Sequence, residues 1–430
     1  MITLYPHQEQ SLKETEHLNR VAYYHDMGLG KTFTGAEKMH RLGAKVNLVI
    51  CQKSKIEDWV EHFYKYYLHV SDRAQLQIFD LTDKGQFNQF LILTTFSDKV
   101  PPCVGIINYE LAFRRPQLML LRDFTLMLDE SSMIQNETAK RSKFILKLKP
   151  ANVILLSGTP TGGKYEKLWS QCKLLGWDIS KKLYWATYID TEVIDGQGFP
   201  ITIVKGYKNV ERLKNKLREH GAVFMKSDEV FDLPPQIDQK IKLPATKEYR
   251  KFRKSGIVTV APDGLELVGD TTLTKMLYER QLCGQYNSDK LRAFEDLLES
   301  TSDRLIVFYS FTEERRLLTA LCNDYERPVS IVSGDIKALG NYERFNNSVT
   351  LIQYQAGAMG LNLQLANKVV YFTPPLSSEL FEQSKKRIHR IKQERPCFYY
   401  YLTVAGSVEE KIYKTLALRK DYTEKLFEEG

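Results

Sequence analysis

The sequence lacks most features that would assign it to a membrane, to the outside of a cell or to a metal. Six cysteines (Cys51, Cys103, Cys172, Cys283, Cys322 and Cys397) lie far apart, with no CxxC pair among them. Neither a zinc knuckle nor a disulfide framework fits that spacing, so a reducing, cytoplasmic setting is expected. No apolar run approaches the roughly 18 residues of a membrane span. The opening MITLYPHQEQ has no charged-then-apolar layout of a secretion signal. Charge of one sign is scarce too: 61 Lys and Arg against 53 Asp and Glu leave a net +8. That balance suits a partner with a phosphate backbone without requiring one. Short-period repeats and low-complexity tracts are also missing.

What remains is ordinary globular composition, 43% hydrophobic and 27% charged over 430 residues. A chain of that length carries two or three domains with sizeable cores. Short apolar runs punctuate its first part at 21–25, 46–51, 90–94, 104–108, 124–130 and 153–158. Near-continuous runs, as opposed to strict alternation, predict strands buried on both faces, as in a parallel sheet crossed by helices. The pattern returns at 305–311, 329–334, 349–355, 368–373 and 398–403. Between the two sets, residues 164–284 read as mostly helical and charged, with a turn-rich insert at DGQGFP (195–200) and a break at Pro234-Pro235. PDGLELVGD (262–270) reads as a mobile connection. Residues 407–428 read as one long charged helix. The expected class is α/β, with doubly wound parallel-sheet lobes at 1–163 and 285–430 around a helical insertion and linker at 164–284.

DMGLGKT (26–32) follows the first predicted strand and precedes a helix-compatible stretch. Small residues at a strand–helix junction let backbone N–H groups close on phosphate oxygens, which makes Gly28 and Gly30 candidate nucleotide contacts. Lys31 would then reach the β/γ-phosphates and Thr32 would hold Mg²⁺. The match is to GxGKT, because His25 stands where a full P-loop has its first glycine. A second acidic element comes from LMLDES (126–131). There Asp129 would sit on the Mg²⁺ shell and Glu130 would position the attacking water, the parts that phosphoryl transfer requires.

In order, the chain shows LYPHQ (4–8), DMGLGKT (26–32), LVICQKSKIEDW (48–59), INYE (107–110), LDES (128–131) and LSGTPTGGKYEKLW (156–169). IVFYSF (306–311), GAMGLNLQLANKVVYF (357–372) and QSKKRIHRIKQERPCFYYYL (383–402) follow. This series resembles the SWI/SNF-type (sucrose-nonfermenting) DNA translocases of helicase superfamily two over nearly the whole chain. The resemblance implies two RecA-like lobes, ATP and Mg²⁺ in the cleft between them, and a DNA duplex tracked across both. It implies Gln8 on the adenine, Gly360 beside the nucleotide, and Arg387 and Arg390 as arginine fingers sharing one helix face. Lys53, Asn108, Thr159 and Lys164 match positions that touch the DNA phosphate backbone in the family. His7 reads as a structural neighbour of Gln8, and the aromatics Phe398 to Tyr401 read as core.

The chain also departs from the family. His25-Asp26 replaces an aspartate-glutamate pair, Ser132 replaces the last residue of the acidic box, Gln355 replaces a basic residue, and Lys226-Ser227 replaces paired arginines. The last two changes remove positive charge expected near the duplex, so few phosphate contacts and a shallow salt dependence are expected. The leading expectation is an ATP-driven motor on double-stranded DNA, monomeric, acting in replication, recombination or repair in a bacterial or viral setting. A strand-separating helicase, with a pin in the 187–207 insert, and an ATP-gated DNA scaffold are the alternatives.

Overall fold

The computed structural model describes residues 3–71, 74–97, 99–195, 200–260, 264–357 and 361–427. Its backbone divides into two compact units, Met1–Val230 with Tyr422–Gly430, and Phe231–Asp421.

The first unit holds β1 (Arg20–His25), β2 (Val46–Cys51), a small ribbon of β3 (His69–Ser71) and β4 (Ala74–Gln75), β5 (Gln77–Asp80), β6 (Cys103–Asn108), β7 (Phe124–Asp129), β8 (Asn152–Leu156), a hairpin of β9 (Ile189–Asp195) and β10 (Pro200–Tyr207), and β11 (Ala222–Met225). Seven of these form one sheet in the order β11-β1-β8-β7-β2-β6-β5. Every neighbouring pair in it is parallel. Alternate residues face opposite sides, as the pleat requires. Val21 and Tyr23 pack with Leu12 of α1 (Pro6–Glu14), Met39 of α2 (Lys31–Leu42) and Trp59 of α3 (Ile56–Tyr67). Ala22 and Tyr24 pack with Cys172, Tyr184 and Leu217 on the other side. Both faces are therefore covered, which is why these strands read as continuous apolar runs.

One predicted strand is a helix. Residues 90–94 lie inside the helix Lys84–Phe96, whose start is capped by the Asp83 carboxylate accepting from Gln86 N at 2.8 Å. Phe87 and Phe90, one turn apart, are buried together, so a cap and a 3.6-residue period override the β-rich composition of FLILT. The sheet position beyond β6 belongs instead to β5, which carries no long apolar run.

The second unit holds β12 (Gln236–Leu243), a hairpin of β13 (Ile257–Val260) and β14 (Leu265–Val268), β15 (Leu305–Tyr309), β16 (Val329–Val332), β17 (Lys337–Ala338), β18 (Val349–Gln353), β19 (Lys368–Tyr371) and β20 (Cys397–Val404). Its seven-stranded sheet runs β12-β20-β19-β15-β18-β16-β17, with only β17 antiparallel to its neighbour. Tyr399 and Tyr401 of β20 are buried against Tyr371, so part of the aromatic run is core as expected. The last helix, Val408–Phe427, is anchored by Lys290 Nζ donating to Glu409 Oε1 at 2.6 Å, both side chains fully buried.

The segment 164–284 is not mostly helical. It supplies the β9–β10 hairpin, the outer strand β11 of the first sheet, the outer strand β12 of the second, and the β13–β14 hairpin. Strand β12 reads QIDQKIKL, alternating apolar with charged residues, as befits a sheet edge open to solvent. Residues 265–268, expected in a mobile connection, are a strand pairing with 257–260 over a cluster of Tyr249, Phe252, Val258 and Leu267. Residues 261–263 lie outside the described residues.

Candidate functional site

In the first unit the chemistry-bearing residues gather at the carboxyl ends of parallel strands, the usual ligand edge of an open α/β sheet. Register puts them side by side. Leu156 at the end of β8 faces Asp129 of β7, Ile50 faces Leu128, and Cys51 faces Asn108. The glycine loop leaves β1 at the same edge and enters α2 at Lys31.

The loop needs its glycines. Gly28 and Gly30 have φ of +90° and +72°, in the left-handed region that side chains avoid. A Cβ on Gly30 would also sit 2.3 Å from Gln8 Nε2. Gln8 is buried: it accepts from Tyr5 N at 2.9 Å through Oε1 and donates to Leu29 O at 3.1 Å and Gly30 O at 3.3 Å through Nε2. Its amide thus braces the loop with both ends engaged. His7 adds a second brace through its Nε2 at 3.0 Å from Leu29 O. Lys31 Nζ lies back in the loop, donating to His25 O at 2.9 Å and Asp26 O at 3.2 Å. Thr32, the other expected Mg²⁺ ligand, follows it in the first turn of α2, half-buried.

The acidic pair is built with equal care. Trp59 Nε1 donates to Asp129 Oδ2 at 2.9 Å, and the buried Tyr109 hydroxyl donates to the carbonyls of Asp129 and Glu130 at 3.0 and 3.3 Å. Glu130 adopts φ +57°, a strained conformation for a residue with a side chain, of the kind that clusters at functional sites. Its Oε1 accepts from Ser157 Oγ at 2.6 Å and Ser132 Oγ at 3.0 Å. Ser157 Oγ in turn accepts from Thr159 N at 3.2 Å, so the carboxylate is joined directly to the 157–159 loop. Ser132 takes part in that link. Gln171 ties the same region from behind: it accepts from Ser131 Oγ at 2.8 Å and donates to Pro160 O at 2.8 Å. Burial pushes both carboxyls up from the ordinary range; Trp59 opposes this at Asp129, and Lys31 and Ser157 oppose it at Glu130.

His25 and Asp26, which depart from the family pattern, have defined roles. Burial, with Lys31 and His7 nearby, holds the His25 imidazole neutral, its pKa pushed down to about 3, and its Nε2 lies 3.1 Å from Ser11 Oγ. Asp26 Oδ2 accepts from Ser227 Oγ at 2.8 Å, fixing the loop to the chain just after β11. Ser227, which stands where the family has an arginine, is buried in that bond.

The expected DNA contacts share this strand edge and differ in exposure. Lys53 is exposed just beyond β2 and Lys164 is half-buried beyond the 157–159 loop. Asn108 and Thr159 are buried, the Asn108 amide donating to Glu110 Oε2 at 3.0 Å.

In the second unit the arginine pair is not on a helix. The helix Ser378–Lys385 ends before Arg387, and residues 386–390 follow as turns. Side-chain donors draw this stretch onto 361–366: Arg390 Nη1 reaches Leu361 O at 3.4 Å, and Gln393 Nε2 donates to Ala366 O at 2.8 Å. Arg387 is buried and Arg390 half-buried. Gly360 lies outside the described residues. The sequence reading gave Trp59, Tyr109, Ser157 and Gln171 no role at the site; Trp59, Tyr109 and Ser157 lie in recognisable blocks, LVICQKSKIEDW, INYE and LSGTP, and Gln171 lies just beyond the last of them.

The residues fit a magnesium nucleotide. A helix opening with left-handed glycines, an ammonium already among backbone oxygens and two adjacent carboxylates form a set complementary to phosphate and a hard cation. Such a metal, when bound, would neutralise charge developing on the phosphates.

Comparison with known proteins gives the family of the chain. Residues 16–288 match the model of the SNF2-related domain, and residues 289–392 match that of the helicase conserved C-terminal domain. The chain is 24% identical over 429 residues to the mouse SWI/SNF-related matrix-associated actin-dependent regulator of chromatin subfamily A member 1, covering 90% of this chain and 39% of that protein. It is 26% identical over 341 residues to the DNA repair and recombination protein RAD26 of Saccharomyces cerevisiae, covering 70% of this chain and 31% of that one. The chain therefore spans well under half the length of these relatives. A solved SWI2/SNF2 ATPase core of Sulfolobus solfataricus in complex with double-stranded DNA aligns with a TM-score of 0.44 at 18% identity, over 98% of this chain and 92% of that one.

Proposed function

The chain belongs to the SNF2-related domain family, and from that premise we propose that it is an ATP-driven motor on duplex DNA. The observation that carries the reading is the single strand edge that joins Lys31, Asp129 and Glu130 and links Glu130 to Thr159 through Ser157. Gly28, Gly30, Lys31 and Thr32 would hold the phosphates, Thr32 and Asp129 would hold the Mg²⁺, and Glu130 would orient the attacking water and take up its proton. Arg387 and Arg390 stabilise transition-state charge. The link from Glu130 to Thr159 gives the nucleotide state a route to residues expected at the DNA backbone, Lys53, Asn108, Thr159 and Lys164. Replication, recombination or repair is the setting we favour, supported by the relative named for DNA repair and recombination.

Strand separation is the second reading, because the β9–β10 hairpin exposes Val193, Ile194, Ile201 and Ile203. Apolar side chains of this kind can wedge between bases. Asp190 and Asp195 on the same hairpin disfavour a phosphate backbone, and Lys205 is paired with Glu192 at 3.3 Å, so translocation without unwinding is preferred.

The test measures ATP hydrolysis with no nucleic acid, single strands and duplex, beside a triplex-displacement and a forked-duplex assay. Duplex stimulation with triplex displacement and an intact fork is expected. Absence of stimulation would overturn the motor, and ATP-dependent opening of the fork would establish strand separation instead.

A further inference from the structure

Away from the glycine loop, the second unit contains a cavity of about 590 Å³ between the edge of its sheet and two helices. The volume falls in the range that holds a small organic ligand. Its floor is the outermost strand pair. Asp238, Lys240 and Lys242 share one face of β12, and their register partners on β20 are Tyr399, Tyr401 and Thr403. One wall is the helix Ser378–Lys385, through Phe381 and Lys385, and the other is the final helix, through Tyr413, Lys414 and Lys420.

The lining has a definite chemistry. Five lysines face three carboxylates around it, which leaves net positive charge. The carboxylates are engaged within the protein. Asp238 accepts from the Tyr401 hydroxyl at 2.8 Å and lies 3.4 Å from Lys385 Nζ, and Glu410 accepts from Gly406 N at 3.2 Å and pairs with Lys242 at 4.0 Å. Lys240 on β12 and Lys414 on the final helix stand exposed, and both line the cavity. The deep end is aromatic. Tyr401 and Tyr413 meet edge to face at 5.4 Å, Phe381 lies 6.1 Å from Tyr413, and the buried Lys385 ammonium sits over the rings of Phe381, Tyr399 and Tyr401.

Cations at the rim and flat rings at depth suit a ligand that is anionic at one end and planar at the other. We propose that this cavity is a second nucleotide site, taking a nucleoside phosphate with its phosphates among Lys240, Lys414 and Lys420 and its base toward Tyr401 and Tyr413. The site is independent of the glycine loop, and the proposal stands whether or not the loop hydrolyses ATP.

The experiment titrates ADP into the full chain carrying Lys31→Ala, which weakens the glycine loop, and compares it with the same chain also carrying Lys240→Glu and Lys414→Glu. Both lysines are exposed, so the reversals leave the fold intact, checked by an unchanged thermal melt. One ADP per Lys31→Ala chain is expected, lost on charge reversal, with at least tenfold weaker binding of pyrophosphate. Photolabelling with 8-azido-ADP should mark residues within 408–420. No ADP binding to the Lys31→Ala chain, or binding indifferent to the reversals, would overturn the site. Equal affinity for pyrophosphate would overturn the nucleoside part of the assignment. Loss of hydrolysis in Lys31→Ala reports on the loop alone, so the two sites fail separately.

Discussion

The indole of Trp59 donates to Asp129 Oδ2 at 2.9 Å, and so a residue in the first turn of α3 sets the direction of a carboxylate at the end of β7. A partner that orients a metal-binding carboxylate is typically worth about 10- to 100-fold in activity or metal affinity. Trp59→Phe keeps most of the packing and removes the donor. Turnover is expected to fall by about that factor, with half-saturation by Mg²⁺ moving to higher concentration. An Mg²⁺ titration identical to that of the parent chain would refute the positioning role.

Lys31→Ala and Glu130→Gln should each abolish turnover while the chain stays folded. Positioning and charge stabilisation supply nearly all of the catalysis of this reaction class, so the loss should span several orders of magnitude. Substantial hydrolysis in either variant, checked against an unchanged circular dichroism spectrum, would remove the site from the glycine loop.

Ser157→Ala removes a 2.6 Å hydrogen bond that favours the ionised form of Glu130. Burial already raises that carboxyl, and Ser157 acts to lower it. The variant therefore shifts Glu130 further upward. Because the ionised form accepts the proton, the acidic limb of the rate–pH profile should move to higher pH. A limb that stays in place or moves down would show that Glu130 is not the group being titrated.

Arg387 and Arg390 are predicted to act on the transition state and not on nucleotide capture. Arginines in this role contribute about 10³–10⁵ in rate. Alanine at either position should depress turnover far more than the affinity for a fluorescent nucleotide, and parallel losses would contradict the assignment.

The buried Lys290–Glu409 pair predicts a stability effect of a different kind. Lys290→Met leaves a carboxylate uncompensated in the core, at a cost of about 3–5 kcal/mol. Adding Glu409→Leu should recover part of the loss, because the orphaned charge is gone. Urea unfolding of the single and double variants reads both numbers, and a double variant no more stable than the single would count against the argument.

Much of this architecture was legible because both sheets are covered on both sides. Strands such as VNLVIC and VILLS have no polar face to hide, and their continuous apolar runs expose them. The edges were not legible for the same reason. QIDQKIKL at β12 and AVFM at β11 have one open side or little length, and they dissolve into charged surroundings. FLILT misled because its β-rich composition says nothing of the Asp83 cap two turns before it. At the site, Lys31, Asp129 and Glu130 were visible as short strings whose chemistry is local. Trp59 and Tyr109 could not be assigned roles from the sequence, because their partners lie 70 and 20 residues away and only the parallel register brings them together. The arginine pair showed the opposite failure: a helical-looking string is pulled out of the helix by its own side chains bonding to 361–366.

The bond between Asp26 and Ser227 carries a consequence for the order in which the protein is made. β1 leaves the ribosome long before its two sheet neighbours, β8 at 152–156 and β11 at 222–225. Until those residues emerge, the strand that launches the glycine loop has an open edge on each side, and Asp26 lacks the hydroxyl that holds it. Pairings this distant form late. The nascent chain therefore completes its nucleotide-binding loop only after β11 and Ser227 have been synthesised, and nucleotide cannot template the folding of the strand that launches that loop before then.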